Sequence, residues 1–331
     1  MRILAIDVGT GTQDILLFDS SVAIENCVKM IAPSPTVVIA NRIRKATAQR
    51  RNLLLTGVTM GGGPCAWAVE DHLRAGLAVF ATPNAARTFN DDLDEVRQMG
   101  VQVVDDSPLV PRSARVVHIV LKDVDLPALA KAFTTLGVPP HYDGIAIAVQ
   151  DHGAAPPGVS DRLFRFDYLK QVIAENNRLM SFAYLSDQVP PFLTRVQGVI
   201  DTVGTAQPLL LLDTGPAAAL GALEDSEVAS HLDRVIVNVG NFHTLAFHMV
   251  GDQILGFFEH HTGCLTSERL EHLVKRLING ELTHEEVFND HGHGAFVLGT
   301  SRQPSFIAAT GPRRGMIIES ELHPYFAVPH G

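Results

Sequence analysis

Residues 1–14 read MRILAIDVGTGTQD, and this stretch decides the architecture. Ile3, Leu4, Ala5 and Ile6 form an apolar strand that runs into Asp7, Gly9-Thr10-Gly11-Thr12 makes a tight turn, and Gln13-Asp14 leads into a second apolar run. Glycine has no Cβ, so Gly9 and Gly11 let the backbone N–H groups of the turn, Gly9 to Thr12, close on an anion. Asp7, a carboxylate at a strand end, is placed to hold a hydrated Mg²⁺, with Asp14 supporting the turn or the metal shell. The spacing therefore predicts a phosphate-cradling hairpin, with an ordinary Gly/Thr hairpin as the alternative.

Residues 235–263, VIVNVGNFHTLAFHMVGDQILGFFEHHTG, repeat this plan: apolar strand, polar turn from Asn238 to Thr244, returning strand, Gly251-Asp252 hairpin and third strand. Two such units in one chain predict a pseudo-symmetric pair of lobes facing one ligand. Two further segments belong with them. FIAATGPRRGM at 306–316 is a buried-type strand followed by a turn at Gly311, and YDGIAIAVQDHG at 142–153 is a strand ending in Gln150, Asp151 and His152.

On these motifs the chain resembles the superfamily of acetate and sugar kinases, heat-shock ATPases and actin. The resemblance implies an α/β fold, a two-lobed actin-like ATPase with ribonuclease H-like lobes, and the cofactors ATP and Mg²⁺. IDVGTGTQD matches the first phosphate motif of that superfamily. NVGNFHT matches the second, with Asn238 where an acid is usual and Asn241 where a second Gly is common. Gly311 stands where the adenosine loop is expected, with Pro312 in place of the usual second glycine. The resemblance thus implies that Gly9, Thr10, Gly11, Thr12, Gln13, Gly240, Asn241, His243, Thr244, Gly311 and Arg313 contact the nucleotide and that Asp7 and Asp14 serve the metal. It also implies that Asp151 or His152, together with Asp7, carries the catalysis by orienting a hydroxyl or a water. More narrowly, the whole chain resembles a prokaryotic family labelled as pyruvate formate-lyase activating enzymes. That label implies a radical enzyme with a CxxxCxxC cluster, whereas Cys27, Cys65 and Cys264 are far apart and build no such cluster locally.

The first lobe is expected over 1–228, with an inserted α/β region at about 77–140, and a short second lobe over 229–331. The loop Thr59-Met60-Gly61-Gly62-Gly63 before Pro64 reads either as an anion site at a helix N-terminus or as a tight strand-to-helix turn. Helices are expected at about 84–99 and 166–186, and the turn Asp213-Thr214-Gly215-Pro216 reads as packing or hinge. Histidines gather beside carboxylates at His243, Glu259-His260-His261, Asp290-His291-Gly292-His293 and Asp151-His152. Structural, catalytic and metal-binding roles all remain open for them, because none has the HExxH spacing.

A formal charge of -10 over 331 residues argues against nucleic-acid binding, which needs a basic surface. No segment has the ~20 consecutive apolar residues of a membrane span. The chain opens on a strand without a signal-peptide pattern, and three unpaired cysteines fit a reducing compartment, so a cytoplasmic protein is expected. Strand edges in a short second lobe are compatible with a homodimer. Three functions follow. The first is an ATP-dependent phosphotransferase acting on a small hydroxylated or carboxylated metabolite. The second is a partner-directed ATPase working on a client protein. The third is a His-rich metal-dependent hydrolase or ligand-binding module on a degenerate actin-like scaffold.

Overall fold

The computed structural model describes residues 1–105, 115–299 and 306–328; parts of the expected insertion (106–114) and second lobe (300–305 and 329–331) lie outside the described residues. The strands are β1 (Arg2–Val8), β2 (Thr12–Asp19), β3 (Val28–Pro33), β4 (Asn52–Gly57), β5 (Val79–Ala81), β6 (Gln102–Val103), β7 (Val116–Leu121), β8 (Gly144–Val149), β9 (Ala183–Leu185) and β10 (Leu209–Leu212), followed by β11 (Asp233–Val239), β12 (His243–Val250), β13 (Gln253–His261), β14 (Gly294–Val297), β15 (Phe306–Thr310) and β16 (Tyr325–Phe326). They form three sheets in a mixed α/β chain. The orders are β3-β2-β1-β8-β10-β9, β14-β13-β12-β11-β15-β16 and β6-β5-β4-β7.

The two six-stranded sheets share a series. Each contains an antiparallel meander laid out as third, second and first strand, flanked by β14 in the second sheet, and the first strand then pairs in parallel with a strand from much later in the chain, β8 for β1 and β15 for β11. The alternation of β1 explains its place, since Leu4, Ile6 and Val8 are buried while Ile3, Ala5 and Asp7 face the other way. The four-stranded sheet is parallel throughout. Its central β4 carries fully buried Leu53 and Leu55, packed with Ile39, Ile43, Ala68 and Val69 from helices Pro35–Ala48 and Pro64–Arg74. This sheet starts at β4, ahead of the 77 expected for an inserted region, because β4 is the strand on which both β5 and β7 pair.

Two compact units result, Met1–Pro157 with Leu185–Leu211, and Gly158–Tyr184 with Leu212–Gly331. The boundary expected at 228/229 is displaced. Helix Asp161–Glu175 belongs to the second unit because Phe166 stacks on Phe257 at 5.0 Å and Arg165 pairs with Asp213 and Glu259. That helix also stops short of the expected 186. The main chain of Asn177 is engaged by Ile254, whose N–H donates to the Asn177 carbonyl at 2.7 Å, and a 3-10 turn and β9 follow. The helix expected at 84–99 divides into Pro83–Ala86 and Leu93–Gln98, since Asp92 caps the second piece by accepting from the Asp94 N–H at 2.8 Å. In the second unit, helix Ser267–Ile278 places Leu270, Leu273, Val274 and Leu277 on one stripe against Val235, Val237 and Val239 of β11. Among the described residues no helix is long and apolar enough to cross a membrane.

Candidate functional site

In the first unit, β1 and β2 pair so that Asp7 stands directly opposite Asp14. Opposed residues of an antiparallel pair project on one face, and like charges there repel. Burial raises the Asp14 carboxyl above its ordinary range, partly offset by the Thr12 hydroxyl, which donates to Asp14 Oδ2 at 3.4 Å. Paired carboxylates of this kind fit a hard divalent cation, which takes oxygen ligands.

Above the pair, the turn is held from one side. The Ser34 N–H donates to the Gly11 carbonyl at 3.1 Å and the Ser34 hydroxyl to the Thr10 carbonyl at 2.6 Å. The C=O and N–H of a trans peptide point in opposite directions, so the N–H groups of Gly11 and Thr12 face away from Ser34. Gly9 is required by the tightness of the turn, since a Cβ there would lie 2.8 Å from the Thr12 oxygen. Gln13, at the start of β2, instead sends its Nε2 to the Pro33 carbonyl at 3.2 Å.

The parallel pairing of Asp7 with Ala148 and Val8 with Val149 brings Gln150, Asp151 and His152 out beside this turn, at the C-terminal ends of adjacent parallel strands where α/β sheets take ligands. Asp151 is buried and anchored. Its Oδ1 accepts from the Gly153 N–H at 2.8 Å and its Oδ2 from the Val196 N–H at 2.9 Å, in the first turn of helix Thr194–Val203. Burial raises its carboxyl while those two donors oppose the rise. This is an anchoring arrangement, and it leaves His152 as the half-buried side chain that follows. Arg195 fixes the same strand end, donating to the Gln150 carbonyl at 2.7 Å and to Asp123 through Nε at 2.7 Å. In the Gly61-Gly62-Gly63 loop the Gly61 N–H donates to Asp123 at 3.2 Å and the Cys65 N–H to the Thr36 hydroxyl at 3.1 Å, contacts within the chain that favour the tight-turn reading.

In the second unit the β11–β12 turn departs from expectation. The Gly240 N–H donates to the His243 carbonyl at 3.0 Å within the turn, and Thr244 is fully buried with its hydroxyl 2.9 Å from that of Thr262. Neither group is presented for phosphate, while Asn241 is exposed at the tip. Gly311 and Arg313 do reach the end of β11. The Arg313 N–H donates to the Val239 carbonyl at 2.9 Å, its side chain is exposed, and the Arg314 guanidinium lies 5.6 Å from the Phe326 ring centroid. At Gly311 φ is +96°, and a Cβ would lie 2.5 Å from the Val239 oxygen and 2.6 Å from Asn238 Oδ1. Gly311→Ala should therefore destabilise the second unit by at least about 2 kcal/mol, read as a fall in the urea midpoint. A midpoint equal to wild type would mean that the loop can move off β11.

A buried charge network has no local signal in the sequence. Arg165 is wholly buried, its Nε donating to both Glu259 oxygens at 3.0 and 2.9 Å and its terminal nitrogens to Asp213 at 2.8 and 3.2 Å. Burial alone would lower the Arg165 pKa, but the two carboxylates outweigh it and hold the guanidinium charged. Burial pushes Glu259 up to about 7 against the pull of Arg165. Asp213, a packing or hinge residue on the sequence reading, is an ion-pair partner that also caps helix Thr214–Leu223 through the Gly215 N–H at 3.1 Å. Directly after Glu259 come His260 and His261. Burial lowers the His261 pKa, helped by His260, Arg162 and His291.

Comparison with known proteins adds the following. A family model described as "Putative pyruvate format-lyase activating enzyme (DUF1786)" matches residues 60–316. No curated protein matches. Among solved structures, the chain is similar to the ROK hexokinase from Thermus thermophilus, with 12% identity over 77% of this chain and 48% of that one and a TM-score of 0.26. It is also similar to an exopolyphosphatase-like protein, with 9% identity over 93% of this chain and 65% of that one and a TM-score of 0.26. A nucleotide-free acetone carboxylase matches at 12% identity over 77% and 45%, with a TM-score of 0.23. The chain thus spans less than two thirds of each of these proteins.

Proposed function

We propose that this chain, which belongs to the DUF1786 family, binds a Mg²⁺-nucleotide and transfers a phosphoryl group to a small hydroxylated or carboxylated metabolite. The observation that carries this reading is the opposition of Asp7 and Asp14 beneath a turn whose Gly11 and Thr12 N–H groups face away from Ser34. The strand series common to the two six-stranded sheets supports a two-lobed actin-like ATPase architecture, with the parallel sheet as the insertion in the first lobe.

Phosphoryl transfer asks little covalent chemistry of a protein; positioning and charge neutralisation dominate. The bound Mg²⁺-nucleotide supplies the phosphoryl group and part of that neutralisation. Asp7 and Asp14 would hold the cation, and the Gly11 and Thr12 N–H groups would hold the phosphate. Asp151 anchors the loop from which His152 accepts a proton from the acceptor hydroxyl. A second reading, an ATPase driving a client protein, is favoured by one feature. The second turn keeps the Gly240 N–H for itself and has Asn238 in place of an acid, which suits slow turnover.

The family's label names an activating enzyme, and the cysteines do not fit the CxxxCxxC cluster that such a label implies. Cys65 is buried, its thiol pushed up to about 12 by burial and directed at the Gly61 carbonyl. Cys27 is buried against the Asp19 and Ala23 main chain, and Cys264 lies exposed in the other unit. A thiol-selective reagent at neutral pH should accordingly label one thiol per folded chain, Cys264, and all three after denaturation. Labelling of Cys65 at the rate of Cys264 would refute its burial.

Calorimetric titration of metal-stripped protein with ATP and Mg²⁺ tests the main reading. Saturable binding in the micromolar range is expected, and no heat of binding at any concentration would remove it. Stimulation of ADP release by small metabolites would favour the phosphotransferase, and stimulation only by protein the client-directed ATPase.

A further inference from the structure

Three imidazoles meet in the second unit, whereas the acidic pair belongs to the first. His243 opens β12 and His261 closes β13, and the two are partners in the antiparallel register. His293 stands just before β14 and is fully buried, its N–H donating to the Glu259 carbonyl at 2.9 Å. The ring centroids are 4.9 Å apart for His243 and His261, 5.1 Å for His243 and His293, and 4.7 Å for His261 and His293. The rings are mutually inclined by 46°, 61° and 55°, so they do not form a flat stack.

We propose that His243, His261 and His293 form a binding site for a divalent transition metal of the Zn²⁺ type, a site separate from the Mg²⁺-nucleotide reading. The dimensions support this. Nitrogen ligands sit about 2.0–2.1 Å from zinc, which puts each ring centroid about 3.2 Å from the ion and tetrahedrally arranged centroids about 5 Å apart. A half-turn about χ2 exchanges ring nitrogen and carbon positions without moving the ring plane, so either edge of each imidazole can carry a nitrogen. Three imidazoles leave the fourth tetrahedral position for water or substrate, and the all-nitrogen donor set selects zinc, cobalt or nickel over magnesium.

The surroundings hold these rings in place. Glu259, two residues before His261, is clamped through both oxygens by Arg165. On the other side of His293 the chain fits so closely that only glycine is accommodated. A Cβ on Gly292 would lie 2.5 Å from Val287 Cγ1 and 2.7 Å from His260 Cδ2, and one on Gly294, where φ is +151°, would meet the His284 ring. Ligands fixed on strands beside a buried ion pair are the rigid setting that metal sites need.

The test uses the full chain without an added histidine tag, stripped with a chelator and titrated with Co²⁺ by visible absorption and with Zn²⁺ by competition, in the absence of nucleotide. Expected is saturation at one ion per chain, unaffected by millimolar Mg²⁺. His261→Gln, at a half-buried position, should weaken binding at least about 100-fold, since even supporting groups around metals contribute about 10–100-fold. His272→Gln, at an exposed histidine of the same unit, should leave it unchanged. His243→Gln decides the matter if His261→Gln fails to fold. Absence of one-equivalent binding by the wild type, or equal binding by the folded triad variants, would overturn the site, and neither result bears on whether Mg²⁺-ATP binds.

Discussion

Replacing Arg165 with methionine should destabilise the second unit by about 3–5 kcal/mol, the usual consequence of removing one partner from a buried ion pair. Methionine fills similar space, so the loss comes from the carboxylates it strands. Glu259 is fully buried and loses both of its guanidinium contacts, and Asp213 loses two more at 2.8 and 3.2 Å. The defect should also depend on pH in a stated direction. Burial holds the Glu259 carboxyl up near about 7 in the folded chain, against 4.5 as its ordinary value. A carboxyl raised on folding contributes stability that is complete below its unfolded value and is lost as pH rises through its folded one. Without Arg165 that rise loses the charge that opposes it, so the variant's deficit should be smaller at about pH 5 than at about pH 8. Urea unfolding followed by circular dichroism, with hydrogen exchange on the β13 peptide, gives both quantities. A deficit below about 1 kcal/mol, or one that grows on acidification, would mean that water reaches the carboxylates.

This network marks the limit of what the sequence could say. The first hairpin was legible because glycine spacing and strand alternation are local. Leu4, Ile6 and Val8 are buried and the strand–turn–strand forms at residues 1–14, while the register that sets Asp7 opposite Asp14 is seen only in the structure. The repeat at 235–263 was legible for the same reason. What failed is non-local. The helix carrying Arg165 was expected to run on to 186, and nothing in its own residues tells that Arg165 finds Asp213 and Glu259, 48 and 94 positions away. The 228/229 boundary failed with it, because a polar stretch suggested a linker while packing of Phe166 on Phe257 decided the unit. In the second turn, sequence likeness to the first hid a difference in hydrogen bonding, for the Gly240 N–H closes the turn on itself. The histidines were visible as a compositional anomaly. Only the pairing of β12 with β13, and the placement of His293 against Glu259, gathers three of them.

Asp7→Asn should separate binding from folding more cleanly than any other single change. The substitution keeps the size of the side chain and removes one of two charges that face each other across β1 and β2, so in metal-free buffer the variant should be at least as stable as wild type. Adding Mg²⁺ should raise the unfolding temperature of the wild type, because a ligand that binds only the folded chain stabilises it by mass action, and should do little for the variant. Mg²⁺-ATP affinity should fall by about 100-fold, equivalent to about 2.8 kcal/mol. Asp14→Asn offers the comparison. If the pair shares one cation, either asparagine abolishes the Mg²⁺-dependent gain, and the double variant loses little more, since the two carboxylates act as a unit. If Asp7 alone holds the metal, Asp14→Asn keeps most of the gain and the turn-supporting role remains for Asp14. An Asp7→Asn protein that folds normally and binds Mg²⁺-ATP as the wild type does would take the acidic pair out of the nucleotide reading altogether.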